Sequence, residues 1–319
     1  MKIVMTGATG LIGRSLCRAL TYDGHEVVGL SRSPEKARGL AVAEMLRWEP
    51  QSGPPPEQAL NGADAVIHLA GEPIAARRWT DEQKKSIRDS RIISTRNLVN
   101  AFRMMGRKPA AFISGSAIGF YGDRKDEKLY EDSVAGHGFM SEVCRAWEAE
   151  AEQVRYFGIR VVQVRTGVVL SKEGGALQKM LMPFKLGLGG PIGSGRQWFP
   201  WIHIDDIAGI FRHALITSSM SGPVNAVAPE PVTNAEFTKQ LGSALHRPAF
   251  LPVPKFGLQA LLGEMSDVLL SSHRVIPKAV LEAGYEFLYP TLAPALANLL
   301  DDKSKSESTQ HRKAAGEAR

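Results

Sequence analysis

The chain has 319 residues, of which 44% are hydrophobic and 23% are charged, a composition typical of a soluble globular protein. No run of about 18 apolar residues occurs, which excludes a membrane span of the usual length. The formal net charge is +6, but the basic residues are spread along the chain without a block, so we expect neither nucleic acid nor a membrane as a partner.

The first predicted element is a strand that enters a glycine turn and leaves it as a helix. Residues 2–16 read KIVMTGATGLIGRSL, with an apolar run ahead of the glycines and a helical pattern behind them. The first glycine permits the bend, the second lets a pyrophosphate approach the backbone, and the third lets the helix pack on the strand. The helix then directs its free N–H groups and the positive end of its dipole at the phosphates. The predicted cofactor contacts are Gly7, Thr9, Gly10, Leu11, Ile12 and Gly13.

The second predicted strand, Glu26–Leu30, indicates which dinucleotide is expected. An NAD site usually has an acidic residue after this strand, roughly 20 residues beyond the glycines, to hold the ribose hydroxyls. Here Ser31 and Arg32 follow the strand, with Arg38 close behind. A guanidinium bonds a 2′-phosphate and stacks on adenine, so these three residues predict NADP(H). The alternatives are a purely structural glycine turn and a solvated loop charge at Arg32.

Strand-like runs alternate with helical patterns along the next part of the chain. This alternation predicts an α/β fold of the Rossmann type, a doubly wound parallel sheet with helices on both faces. In chain order, the predicted elements are a strand near 43–48, a strand at 63–69, a helix at 80–105, a strand at 110–114, a helix at 138–157 and a strand at 159–165.

Composition along the chain predicts three parts. Residues 1–221 form the NADP-binding Rossmann domain, with a glycine-rich, substrate-side loop at 187–201. Short helices and proline breaks then predict a small, mostly helical C-terminal substrate lobe at 222–300. The polar tail, 301–319, is predicted to be disordered.

The cellular compartment follows from the N-terminus and the cysteines. The first strand starts at residue 2, which leaves no room for a signal peptide, and Cys17 and Cys144 give neither a disulfide framework nor a zinc pattern. We therefore expect a protein of the bacterial cytoplasm or of an organelle matrix.

Three segments resemble the extended short-chain dehydrogenases/reductases, the NAD(P)-dependent epimerase/dehydratase group. Residues 64–71, DAVIHLAG, resemble the family's strand-four motif, after which residues line the cofactor. Residues 91–95, RIIST, are similar to the family's Asn-Val-x-Gly-Thr helix, with Arg91 in place of the asparagine. Residues 201–206, WIHIDD, are similar to its Val-His-Val-Asp-Asp segment. The resemblance adds Leu69, Ala70, Gly71, Arg91 and Thr166 to the expected cofactor contacts.

Finer features resemble one uncharacterised branch of this group, whose members carry a C-terminal domain of unknown function. These features are GGPIGSG at 189–195, FPWIH at 199–203 and GYEFLYP at 284–290. The resemblance implies a substrate cleft between the sheet and the C-terminal lobe, and a homodimer built from two long helices.

The family's catalytic set is only partly present. It uses a serine after strand five and a Tyr-x-x-x-Lys pair, in which the lysine lowers the tyrosine pKa so that the phenolate moves a proton. Residues 114–122, SGSAIGFYG, resemble the serine motif with one extra residue, which favours Ser116 over Ser114. On the next helix, Phe139 and Val143, or Met140 and Cys144, stand where the pair is expected. Neither pair can move a proton in the usual way.

Replacements for the missing pair are Tyr121, on the loop after strand five, and His203, beside two aspartates. The predicted catalytic residues are thus Ser116, Tyr121 and His203. Alternatively, Tyr121 is a core aromatic residue and His203 braces the start of a helix.

Arg91 has two readings as well. At the family's asparagine position it would face the cleft and bind the cofactor phosphates or an acidic substrate. Alternatively, it forms a surface ion pair with Asp89 or Glu82.

Two functions follow from these residues. The first is an NADP(H)-dependent oxidoreductase or epimerase that acts on a small polar, sugar-like substrate without the usual catalytic pair. The second is a non-catalytic NADP(H)-binding sensor or interaction protein that kept the cofactor site.

Overall fold

The computed structural model describes residues 1–301 and contains a central parallel sheet of seven strands. In chain order the strands are β1 Lys2–Thr6, β2 Glu26–Ser31, β3 Glu44–Arg47, β4 Ala65–His68, β5 Ala111–Ala117, β6 Arg160–Thr166 and β7 Gly222–Ala226. They lie side by side in the order β7-β6-β5-β4-β1-β2-β3. The order reverses beside β1, which places the glycine turn at the switch point where open α/β sheets bind ligands. The predicted doubly wound fold is confirmed.

Helices cover both faces of this sheet, and further helices follow it. The longer helices are α1 Leu11–Tyr22, α2 Asp81–Met104, α3 Phe139–Glu152, α4 Gly175–Lys185, α5 Ile204–Ile216, α6 Asn234–Ala244, α7 Lys255–Leu262 and α8 Leu292–Leu300. Shorter helical turns are Pro34–Ala37, Glu57–Leu60, Ile118–Tyr121, Gln153–Phe157, Gly263–Met265, Ser266–Leu270 and Lys278–Glu282. No helix within residues 1–301 is long and apolar enough to cross a membrane.

Within residues 1–301, three small strand pairs lie outside the central sheet. Val168–Ser171 pairs with Trp201–His203, and Trp198–Phe199 pairs with Val232–Thr233. Lys128–Leu129 pairs with Arg274–Val275, which joins the loop after β5 to the C-terminal part of the chain.

The core lies in two layers because successive side chains of a strand point to opposite faces of the sheet. In β1, Ile3 and Met5 pack in the layer beneath α1 and α5, whereas Val4 packs with Leu98 and Phe102 of α2. Both faces are therefore apolar, as expected for a parallel sheet covered on both sides.

The sheet continues past the predicted domain boundary at residue 221. Gly222–Ala226 lies parallel to β6, with Gly222 opposite Val162 and Ala226 opposite Thr166. The residues that follow are mostly helical, as predicted for a C-terminal lobe. The tail predicted at 301–319 lies outside the described residues, apart from Asp301.

Besides the strand pairing with Lys128–Leu129, the C-terminal residues pack on the body of the protein through apolar clusters. Val280 is buried in the layer that holds α1 and α5, and Tyr285 packs against that layer. Leu296 of α8 is buried in a further cluster with Leu241 of α6 and Trp201. The last part of the chain is thus joined to the body by apolar contacts.

Candidate functional site

The glycine turn after β1 is closed by backbone contacts that a side chain would break. Gly7 has φ +69°, and a Cβ there would lie 2.7 Å from the carbonyl carbon of Leu69. A Cβ on Gly13 would lie 2.2 Å from the carbonyl oxygen of Gly7. These two glycines therefore let β1, α1 and the end of β4 approach one another closely.

Helix α1 begins at this turn with open space before it. Its N-cap, Gly10, gives no side-chain cap, and no acidic residue stands in the first turn. A Cβ on Gly10 would contact only the Gly7 carbonyl oxygen, at 3.2 Å. Arg14 donates from Nε to the Thr9 carbonyl at 2.9 Å and so braces the turn. Uncapped amide donors at a helix N-terminus, with room before them, fit a pyrophosphate.

A buried polar chain joins this turn to the loop after β4. The Thr6 hydroxyl accepts hydrogen bonds from the amides of Leu69 and Ala70, each at 3.1 Å. Thr6 Oγ1 also lies 2.7 Å from Nδ1 of His68, whose Nε2 lies 3.1 Å from Oγ of Ser94. Burial lowers the pKa of His68 to about 3, so this histidine is a neutral bridge. The predicted contacts Leu69, Ala70 and Gly71 are thereby held beside the turn.

The predicted phosphate-binding residues lie at the end of β2. Ser31 ends that strand and accepts a hydrogen bond from the Ser33 amide at 3.1 Å. Arg32 and Arg38 are both exposed, and neither forms an ion pair with a described side chain. Their guanidinium groups are available to an anionic ligand.

Arg91 is neither on the surface nor in the predicted ion pair. Its Nη1 donates to the carbonyls of Glu72 at 3.1 Å and Ile87 at 2.9 Å, and its guanidinium lies 5.3 Å from the centre of the Trp147 ring. A Cβ on Gly71 would lie 3.2 Å from Cζ of Arg91. The side chain therefore fixes the loop after β4, beside the predicted cofactor contact Gly71.

A cavity of about 580 Å³ opens at the carboxyl ends of β5 and β6. The residues that follow the two strands, Ala117–Gly119 and Thr166–Val168, form its floor. Other walls come from the loop after β5, the start of α3, residues 197–200 and residues 264–273. We call this cavity the pocket. It brings Thr166 together with segments that are far apart in the sequence.

Ser116 faces away from the pocket. It is 4% exposed, and its hydroxyl donates to Oε1 of Glu148 at 2.6 Å. Glu148 is in turn held by Arg165, through Nε at 2.9 Å and Nη2 at 2.8 Å. Because strand side chains alternate, it is Ala117 that lines the pocket. The single proton of the Ser116 hydroxyl is therefore used in the hydrogen bond to Glu148 and is not donated to a ligand in the pocket.

Tyr121 is fully buried below the pocket rather than in its wall. Its hydroxyl lies 2.7 Å from Oδ1 of Asn225 in β7 and accepts a hydrogen bond from Nη1 of Arg165 at 2.9 Å. Burial raises its pKa to about 12, although Arg165 opposes this shift. Its surroundings are those of a core aromatic residue with a satisfied hydroxyl.

His203 caps α5 and is also outside the pocket wall. Its Nδ1 accepts from the Asp205 amide at 3.1 Å, and its Nε2 lies 3.2 Å from Oδ1 of Asn298 in α8. Its ring packs on Tyr289, with the ring centres 3.9 Å apart. Burial lowers the pKa of His203, so the ring is a neutral brace between the two helices.

The start of α3 gives the pocket an apolar wall. Phe139 and Met140 both line the pocket, and Phe139 packs edge-on against Trp79 with the ring centres 5.2 Å apart. Val143 and Cys144 are buried, and burial raises the pKa of the Cys144 thiol to about 12. None of the four side chains that the sequence offers in place of the Tyr/Lys pair titrates near neutral pH.

Most polar residues of the pocket were not predicted from the sequence, among them Asp123, His137 and His273. Partial burial would raise the pKa of Asp123, but hydrogen bonds from Lys125 and the Ser272 amide lower it. The Ser272 hydroxyl donates to the Lys125 carbonyl at 2.5 Å. The one signal in the sequence was Gly136-His137-Gly138, in which the histidine stands between glycines.

Comparison with known proteins places these features in a family. The NAD-dependent epimerase/dehydratase family matches residues 3–226, and a domain of unknown function, DUF1731, matches residues 253–299. An epimerase family protein of Bacillus subtilis, YfhF, is 40% identical over 95% of this chain and 99% of its own. A chloroplastic SDR39U1 homologue of Arabidopsis thaliana is also 40% identical, over 94% of this chain and 87% of its own length.

Solved structures agree with this result. The crystal structure of human SDR39U1 with NADPH has a TM-score of 0.84 at 38% identity and covers 95% of this chain and 100% of that one. A UDP-glucuronic acid 4-epimerase from Bacillus cereus shares the fold, with a TM-score of 0.75 at 20% identity over 93% of this chain and 96% of that one. The chain therefore belongs to the NAD-dependent epimerase/dehydratase family, and combines an extended short-chain dehydrogenase/reductase fold with a C-terminal DUF1731 region.

Proposed function

We propose that this protein is an NADP(H)-dependent oxidoreductase of the epimerase type, which acts on a small substrate in the pocket. The observation that carries the proposal is the uncapped start of α1 beside the unpaired Arg32. The NADPH in the structure of human SDR39U1 supports the same cofactor. When bound, NADPH supplies a hydride for the reduction of a substrate carbonyl.

Different segments of the chain would hold different parts of the cofactor. The amides of Leu11 and Ile12 would hold the pyrophosphate, and Arg32, assisted by Arg38, would pair with the 2′-phosphate. Leu69–Gly71 would line the cofactor's course toward Thr166 at the pocket floor. Arg91 would act as a positioning residue, because its hydrogen bonds fix the loop that contains Gly71.

Proton transfer needs a source other than the three residues predicted from the sequence. The hydroxyls of Ser116 and Tyr121 are engaged in buried hydrogen bonds, and His203 is used as a helix cap. We infer that all three stabilise the fold around the pocket. The source would be water in the pocket or His137, an exposed histidine in the pocket wall.

The second candidate, a non-catalytic NADP(H)-binding sensor or interaction protein, is favoured by one observation. Phe139 and Met140 form an apolar wall where catalysts of this family carry a tyrosine. Such a protein would bind the cofactor at the same turn and use occupancy as its signal.

The cofactor proposal is tested by fluorescence titration of the purified protein with NADPH and with NADH. We expect NADPH to bind at least about tenfold more tightly, because a charge-assisted hydrogen bond contributes ~1.5–3 kcal/mol. Arg32→Ala should remove most of this preference. Arg103→Ala, an exposed change at the far end of α2, should keep it. Equal affinities in the wild type would contradict the proposal.

The two candidates are separated by turnover. The wild-type protein is incubated with NADPH and a panel of carbonyl compounds, and NADPH oxidation is followed by absorbance. An oxidoreductase consumes NADPH with at least one compound, and Tyr121→Phe keeps that activity because its hydroxyl is outside the pocket. Tight NADPH binding without any oxidation across the panel would favour the sensor.

A further inference from the structure

His273 is a buried histidine in the pocket wall that the cofactor site does not use. It is 6% exposed, and its backbone amide donates to the carbonyl of Trp198 at 3.4 Å. Within residues 1–301 no hydrogen bond involves its ring nitrogens; burial lowers the pKa of His273 to about 4, and the nearby carboxylate of Asp123 opposes this shift in part. The ring nitrogens are not among the fully buried atoms that lack a partner, so they open onto the cavity, where an imidazole with no partner in the described chain is available to hydrogen-bond a ligand.

The pocket around His273 is lined by large aromatic side chains. Trp198 is fixed by a hydrogen bond from its Nε1 to Oδ1 of Asp126 at 2.7 Å and by Arg274, which lies 4.4 Å from its ring centre. Trp79 is fixed by a hydrogen bond from its Nε1 to the Ile74 carbonyl at 2.8 Å. Both indoles are therefore pre-positioned, and pre-positioned aromatic walls favour a planar apolar ligand.

The charges of the pocket do not fit a nucleoside diphosphate. Its described wall has three carboxylates, on Asp123, Glu264 and Asp267, against two ammonium groups, on Lys125 and Lys255, and no arginine. Lys125 is already paired with Asp123, and Glu264 pairs with Lys84 of α2. A diphosphate would meet no surplus of positive charge and none of the bidentate guanidinium groups that usually hold it.

We propose that the pocket binds an uncharged aromatic carbonyl compound, whose oxygen accepts a hydrogen bond from the imidazole of His273. The aromatic walls take the ring system, and the C-terminal DUF1731 region contributes the single polar contact that orients it. This inference rests on the proposed function in one respect, namely that the pocket is the site where the substrate binds. It replaces the sugar-like substrate expected from the sequence by an aromatic one.

The test is calorimetric binding to the full-length protein saturated with NADP⁺, which requires no turnover. The probes are acetylnaphthalene and isopropenylnaphthalene, which have similar shapes but differ in the carbonyl oxygen, and UDP-glucose. We expect the ketone to bind about fivefold more tightly than the hydrocarbon, as one neutral hydrogen bond provides, and UDP-glucose to bind more weakly than either.

Variants identify the residue responsible. His273→Phe should bring ketone binding down to the level of the hydrocarbon, whereas His273→Gln, which keeps a donor, should retain most of the difference. His25→Gln is the matched control far from the pocket. NADPH binding and the thermal midpoint of each variant show whether it is folded and loaded with cofactor.

Two results would overturn the inference while the cofactor proposal stands. One is equal binding of ketone and hydrocarbon by the wild type, and the other is tighter binding of UDP-glucose than of both. If the wild-type protein does not bind NADPH, the result would instead count against the proposed function.

Discussion

Gly10 and Gly13 belong to the same turn, but a side chain at each would meet different surroundings. At Gly13 a Cβ would overlap the backbone of Gly7 and Ala8, whereas at Gly10 it would enter the space before α1. The fold therefore excludes a side chain at Gly13, whereas at Gly10 a side chain would compete with the expected ligand. Single substitutions therefore distinguish folding of the turn from binding at the turn.

We predict that Gly10→Ala lowers NADPH affinity at least about tenfold with little loss of stability, because the added methyl occupies the approach of the pyrophosphate. Gly13→Ala should lower affinity and also destabilise the protein by about 1–3 kcal/mol, because the turn must shift. NADPH titration and urea unfolding measure the two effects. Wild-type affinity in Gly10→Ala would show that the pyrophosphate lies elsewhere.

Helix α3 carries two glutamates in contrasting settings. Glu148 pairs with Arg165, and the side chains are only 12% and 4% exposed. Glu150, on the same helix, pairs with Arg96, whose side chain is 54% exposed. The first pair links α3 to β5 and β6, whereas the second lies at the surface of the helix pair α2 and α3.

We predict that Glu148→Gln destabilises the protein by about 3–5 kcal/mol, because it leaves the Arg165 charge buried with weakened pairing. Glu150→Gln on the same helix should cost at most about 1 kcal/mol. Urea unfolding of the two variants gives the comparison. If both changes cost the same, the Glu148–Arg165 pair does not hold α3 on the sheet.

At the element level, much of the fold was predictable from the sequence. The helix predicted at 80–105 is Asp81–Met104, because its apolar period and the Thr80 cap are local signals. The strand Gly222–Ala226 was not predicted as part of the sheet, because it is short, contains Pro223 and owes its place to pairing with β6. The local sequence pattern therefore predicts that a helix or strand forms, but the position of a strand in the sheet depends on the strand with which it pairs.

Of the candidate site, only the geometry of the glycine turn was predictable from the sequence; the residues that would hold the cofactor stay a prediction. The glycine turn is a local backbone feature, so residues 7–13 were readable from spacing alone. The pocket is built from distant segments, and His273 stands in a run with no helical or strand period. The direction of Ser116 follows from strand alternation, which the extra residue before Tyr121 obscured.

For the molecule as a whole, buried neutral histidines couple stability to pH. Burial lowers the pKa of His68 to about 3 and that of His273 to about 4, whereas an unfolded histidine titrates near about 6.5. Below about pH 6.5 the unfolded chain binds more protons than the folded one. Stability therefore falls as the pH decreases, by up to about 1.4 kcal/mol per pH unit for each histidine.

We predict that the free energy of unfolding decreases as the pH is lowered from about 6.5 to about 5. This range lies below the unfolded histidine pKa of about 6.5 and above the folded values of about 3 for His68 and about 4 for His273. His273→Gln should make the slope shallower by about 1 kcal/mol per pH unit, since one titrating group is removed. Urea unfolding at several pH values provides the slopes. Identical slopes in the variant and the wild type would contradict the neutral state of His273.

The pairing of Lys128–Leu129 with Arg274–Val275 also has a consequence for how the protein is made. A ribosome delivers the glycine turn and the loop after β4 within the first 71 residues, but the segment that closes the pocket emerges some 200 residues later. During synthesis, the elements of the cofactor turn are therefore present long before the pocket has its last wall. A chain that ended before residue 264 would contain the glycine turn but would lack the pocket wall formed by residues 264–273.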